Sequence, residues 1–265
     1  MEFLKIVKRR SFLNELLYVA LNIGMAIAIL VIIKVTGSIF PALILVLLSK
    51  WRVLAVRTRF WVANIQANLV SIIVDFSYII ILYESSLSSV NTIQNFIFQA
   101  ILVIVYILWL LFLRPQSKRK YIIAQAGVAL FVGITAIYAI SFGWIASPVV
   151  ILCWLVGYAT ARHVLGSYDE DHMLFLSLTW GLAVAELGWL AYHWTVAYRL
   201  PIVTNLLLPQ ISIVMLCIGF VVYKAYDSFF HHKKIRLGDV ILPLLFTISI
   251  ISVLLLAFNG VSTNI

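Results

Sequence analysis

Charge is what this sequence has least of. Asp, Glu, Lys and Arg make up 11% of its 265 residues, where a soluble domain carries roughly 25%. Hydrophobic residues reach 64%, and a water-soluble fold is excluded. Cysteine occurs only as Cys153 and Cys217, both inside apolar runs and without zinc spacing, so they read as small packing residues. No proline-, glycine- or serine-rich linker divides the chain. No glycine-rich phosphate loop, His-Glu-x-x-His helix or Gly-x-Ser-x-Gly elbow occurs, and no catalytic residue, metal ligand or cofactor is assigned.

Acidic residues are also few, 10 against 19 basic, giving a net charge of +9. The basic residues fall in short clusters between apolar runs and form no long basic face, which argues against nucleic acid. Basic clusters in membrane proteins set orientation and meet anionic lipid headgroups.

What is present is a succession of apolar runs. They predict spans at roughly 15–35, 38–55, 60–83, 95–113, 121–141, 146–165, 173–194, 202–224 and 240–259. At ~20 residues per crossing, nine spans use ~180 residues, leaving about 85 for termini and connections. Residues 1–265 therefore read as one all-α polytopic helical transmembrane bundle with no soluble domain. Lys5, Lys8, Arg9 and Arg10 precede a run long enough to span, the pattern of a signal anchor, and residues 1–14 suit an interfacial segment.

The second span is the weakest, because Ile39 to Leu48 needs Trp51 to Val56 to complete a crossing; the alternative is a re-entrant segment. Charge decides. With nine crossings and a cytoplasmic amino terminus, all 19 basic residues except Lys34 and Arg199 fall on the cytoplasmic side, Lys50 and Arg114 among them. The carboxyl terminus is then outside. Trp61, Tyr83, Tyr121, Trp144, Trp194 and Tyr198 lie at expected interfaces, and a plasma (inner) membrane is the expected location. The acidic run 169–171, flanked by His163 and His172, reads as a hydrated loop rather than a cation site.

An ionisable group in hydrocarbon costs about 2.5–3.5 kcal/mol at a helix centre, so its presence needs a reason. Asp75 and Glu186 are two such groups. Asn64, Asn68, Ser71, Asp75 and Tyr78 fall within about 40° of one line on a helix of ~100° per residue, a polar stripe expected to face other helices or a wet cavity. Thr179, Glu186 and His193 repeat every seven residues and share a face. The two carboxylates lie within ~3 Å of the same depth, and if their helices were neighbours they could share a proton or a cation. Gln99, Gln125, Asn205, Gln210 and Ser212 are supporting polar groups, with Pro209 expected to kink the eighth span. Gly157/Ala161 and Gly181/Ala185 have the spacing of close helix packing.

These residues suggest a transporter-like or channel-like permease for a small solute or ion, proton-linked through Asp75 and Glu186. Its partners would be membrane lipids and a membrane protein or second copy of the chain. A non-catalytic subunit of a membrane assembly is the alternative; it would show a helix face with small and polar residues that no other span covers. A lipid-modifying enzyme using His193, Glu186 and Tyr192 comes third.

Overall fold

Backbone amides in hydrocarbon must be satisfied within the chain, which is why the apolar runs fold as helices. The computed structural model describes residues 2–87, 92–141, 143–193, 197–200 and 203–257, with side chains for all but 2–12, 52, 54, 92, 197–200, 203–207 and 257. The helices are α1 (Glu2–Thr36), α2 (Phe40–Ser49), α3 (Trp51–Leu54), α4 (Trp61–Ser86), α5 (Thr92–Leu108), α6 (Arg119–Ile140), α7 (Ala146–Gly166), α8 (Met173–His193), α9 (Gln210–His232) and α10 (Leu237–Ala257). A π-helical turn, Trp109–Leu113, extends α5. Eight of the described helices are long and apolar enough to cross a membrane, so the chain is a multi-pass integral membrane protein.

The second crossing is a broken helix rather than a single span over 38–55. α1 and α5 are antiparallel: Tyr18 Oη donates to Leu110 O at 3.2 Å near one end, and Lys34 Nζ stands 5.0 Å over the Phe96 ring near the other. α5 is also antiparallel to α4, with Gln99 reaching Ser85 and Tyr106 reaching Asp75. α1 therefore ends on the face opposite the start of α4, and residues 37–60 must cross between them. Ten residues of α2 cover only ~15 Å; α3 and the following turn complete the passage. Gly37, at φ +61°, ends α1 in the left-handed region that suits glycine, and Pro41 sits in the first turn of α2.

Residues 2–14 are helical and continuous with the rest of α1, whose span-like stretch is Leu13–Thr36. Two further expectations are revised. The eighth span starts at Gln210, not 202, because Pro209 lacks an N–H and caps the helix instead of kinking it. Residues before it form an antiparallel hairpin, β1 (Ala197–Leu200) with β2 (Val203–Pro209), pairing Ala197 with Pro209 and Arg199 with Leu207; Asn205 therefore lies on a strand. The side chains of Trp194, Tyr198 and Asn205 lie outside the described residues.

α7 and α8 pack closely on each other through glycines. A Cβ at Gly157 would stand 2.8 Å from Val184 Cβ and 3.0 Å from Gly181 Cα, and one at Gly188 would stand 2.8 Å from Cys153 Sγ. Both cysteines are buried and free. The small-residue spacing read from the sequence thus packs these two helices against each other. Gly157→Ala should destabilise the protein by about 1–3 kcal/mol through overpacking. Gly24→Ala, whose Cβ would meet nothing within 4 Å, should leave thermal unfolding in micelles unchanged or slightly higher.

Candidate functional site

The break in the second crossing falls at Lys50. Its backbone leaves the helical region at φ −96°, ψ 13°, while its N–H still bonds to Val46 O and Leu47 O. Lys50, expected among the basic residues of the cytoplasmic side, instead turns its side chain into the bundle, where Nζ lies 2.7 Å from Asp75 Oδ2 and donates to Ser71 Oγ at 2.7 Å. Asp75 is 0% exposed and Lys50 8%. Tyr106 Oη donates to the other carboxylate oxygen at 3.0 Å, and the Tyr106 ring stacks on Tyr78 at 3.9 Å. Each charge is costly alone in lipid; together, with a serine and a phenol completing the shell, most of that cost is offset.

The polar stripe of α4 faces this broken crossing. Asn64 Nδ2 donates to Val53 O at 2.6 Å, supplying a donor to the broken segment. Asn68 Nδ2 bonds back to Asn64 O at 2.8 Å. Tyr78, at the far end, has a buried hydroxyl without a hydrogen-bond partner among the described residues.

Beside the pair lies a cavity of about 140 Å³ between α4, the π-turn, α6 and α7, with Asn68, Ser71, Trp109, Arg114, Gln125 and His163 in its lining. The π-turn closes with Arg114 N bonding to Trp109 O at 2.8 Å, a local widening that re-aims side chains and recurs at functional sites. Gln125 Nε2 donates to Leu113 O at 2.6 Å and Gln116 O at 3.0 Å, capping carbonyls left open at the helix end. That fixes the amide, so Gln125 Oε1 accepts from His163 Nε2 at 2.7 Å. Trp109 is 5% exposed, and its Nε1 has no hydrogen-bond partner among the described residues.

The second predicted cluster is built differently. Asp75 is buried among α4, α5 and the break at Lys50. Glu186 is exposed on α8, which packs on α7 and α9. The structure therefore does not bring the two carboxylates together. Thr179 and His193 share the exposed face, Thr179 bonding back to Phe175 O and His193 meeting the Trp189 ring edge-on at 5.0 Å. Tyr192 instead spends its hydroxyl on Trp144 O and Ser141 O, bracing the outer turn.

At the end of the bundle formed by the α7–α8 connection and α9, Tyr226 donates to Glu170, and this bond holds the Glu170 carboxyl below its usual range. Tyr168 donates to Asp227 at 2.6 Å; burial, then that bond, pushes its phenol up. Arg119 lies 4.1 Å over the Tyr168 ring. His163 turns away from this loop into the cavity. Among the described residues no group of three or more His, Cys, Asp or Glu is placed to hold a metal ion.

Sequence reasoning missed Lys50, Tyr106, Trp109 and Arg114 as site residues. A signal for Lys50 existed: a crossing over 38–55 contains that lysine well inside it, which requires a carboxylate at matching depth, and Asp75 is one. No protein-family profile, curated protein or solved structure matches the chain.

Removing one partner of a buried ion pair leaves the other uncompensated. Asp75→Leu and Lys50→Met should each lower stability in micelles by about 3–5 kcal/mol, and Lys50→Met/Asp75→Leu should cost far less than their sum. Additive losses in a denaturant-unfolding cycle would show that the two groups do not interact.

Proposed function

We propose that the protein is a permease for a small solute or ion in a plasma (inner) membrane, with the Lys50–Asp75 pair as its ionisable element. The observation that carries this reading is the position of the pair at a break in a membrane-crossing helix. Discontinuous helices with paired charges at depth are the construction through which transporters expose a site to one face and then the other. Proton linkage follows the same chemistry. A proton on Asp75 discharges the pair and releases the Lys50 ammonium, which biases the α2–α3 break toward a different packing against α4. Of the two carboxylates expected to carry proton linkage, Asp75 is the one with a counter-charge beside it.

Proteoliposomes containing the pH dye pyranine, with a potassium diffusion potential set by valinomycin, test this reading. The wild type should admit protons above protein-free vesicles, and Glu186→Gln should behave as wild type. The folded Lys50→Met/Asp75→Leu variant should fall to the protein-free level. Unchanged proton entry in that variant would remove the pair from the mechanism.

One observation favours the assembly-subunit reading as well. Thr179, Glu186 and His193 lie on a face of α8 that is exposed, and a carboxylate facing hydrocarbon is stabilised by a partner outside its own bundle. Native mass spectrometry of protein gently extracted from its own membrane should then retain a second polypeptide or a second copy, and Glu186→Leu should release it.

A further inference from the structure

We infer that the cavity beside the ion pair binds a small oxyanion, and, resting on the permease reading above, that this is the class of solute the protein moves. Two donors in the lining agree. Trp109 contributes an indole N–H that is buried and without a hydrogen-bond partner among the described residues. That group can only donate, and leaving it unmet is costly. Arg114 contributes a half-buried guanidinium that forms no ion pair among the described residues and lies near enough to act electrostatically on Lys50 and Tyr106. The planar fork of a guanidinium matches two oxygens of a carboxylate or phosphate.

Charge points the same way. Lys50 is neutralised by Asp75, and no carboxylate belongs to the cavity lining, so Arg114 leaves one uncompensated positive charge there. A monoanion balances it. The carbonyls of Leu113 and Gln116, which would repel an anion, already accept from Gln125. Ser71, whose oxygen accepts from Lys50, keeps its own O–H to donate. Asn68 commits its Nδ2 to Asn64 O and leaves Oδ1 as an acceptor, suited to an oxyanion that retains a hydroxyl. The volume of about 140 Å³ is far above the ~10–15 Å³ needed by one water. A lipid phosphate entering from the cytoplasmic leaflet presents the same chemistry as a free ion.

Thermal unfolding of the full chain in a phosphate-free maltoside micelle tests the site, with sodium phosphate titrated at constant ionic strength and dihexanoylphosphatidylglycerol titrated separately. The expected result is a saturable rise in midpoint. A rise with phosphate identifies a free ion as occupant, and a rise with the lipid alone identifies the headgroup. Arg114→Gln should weaken half-saturation at least ~10-fold and Trp109→Phe several-fold, as losses of hydrogen bonds to a charged ligand do. Arg119→Gln, at the cytoplasmic loop, should not change it. If Arg114→Gln does not fold, Arg114→Lys keeps the charge without the fork and should still bind more weakly.

The site is overturned if neither titrant shifts the wild type, if chloride acts as strongly as phosphate, or if the Arg114 variants respond as wild type. Binding without proton flux would overturn the permease reading and leave the site standing. Flux without binding would do the reverse.

Discussion

Two opposite charges 2.7 Å apart and buried inside the helical bundle dictate much of the surrounding architecture. An unpaired Asp75 on α4 would be expelled or neutralised, and an unpaired Lys50 would draw its segment toward the headgroups. Their attraction fixes the register of the second crossing against α4. α2 must end where the ammonium can reach the carboxylate, and the chain must then resume so that Asn64 can meet the carbonyl of Val53. Tyr106 completes the carboxylate's shell and so ties α5 to the same point. One electrostatic requirement thereby positions four segments and leaves a polar cavity on its flank.

The rest of the bundle shows the opposite strategy. α7 and α8 approach through Gly157, Gly181 and Gly188, where a methyl group would collide with its neighbour. Such contact is driven by dispersion between backbones and permits little relative movement. The broken α2–α3 segment has a short helix, a break and a polar shell whose hydrogen bonds can be re-formed with other partners. Motion, where function needs it, belongs to the second kind of structure and not to the first. The polar site therefore lies between α7, which is packed tightly on α8, and the broken crossing.

The phase of a helix was legible in the sequence wherever polarity repeats at the helical period, as it does from Asn64 to Tyr78. That stripe points where its period said it would. The phase of α8 was legible too, but in different residues: Gly181, Val184, Ala185 and Gly188 mark its buried side. Glu186 lies among Leu182, Trp189 and Leu190, which are exposed. Depth along a helix follows from counting residues, whereas direction around it depends on which neighbours exist, and that is a property of the tertiary fold. Lys50 was obscured by a different ambiguity, since a basic residue between apolar runs has the same sequence signature in a loop and at a helix break. The π-turn at Trp109 has no periodic signature at all, and the carbonyls at its end are met by Gln125 from another span.

The two intramembrane carboxylates now differ in kind. Asp75 has its counter-charge Lys50, and that lysine's serine partner and the Tyr106 phenol, inside the chain, so its interactions tie together α2, α4 and α5. Glu186 has no ion pair among the described residues and lies on an exposed face of α8. A permease that works alone needs only the first, while a subunit of a larger assembly would also use the second. The readings are therefore layered rather than exclusive, because the residues they require lie on separate helices. Changes at the outer face of α8 need not disturb the ion pair, and neutralising the pair need not disturb the outer face.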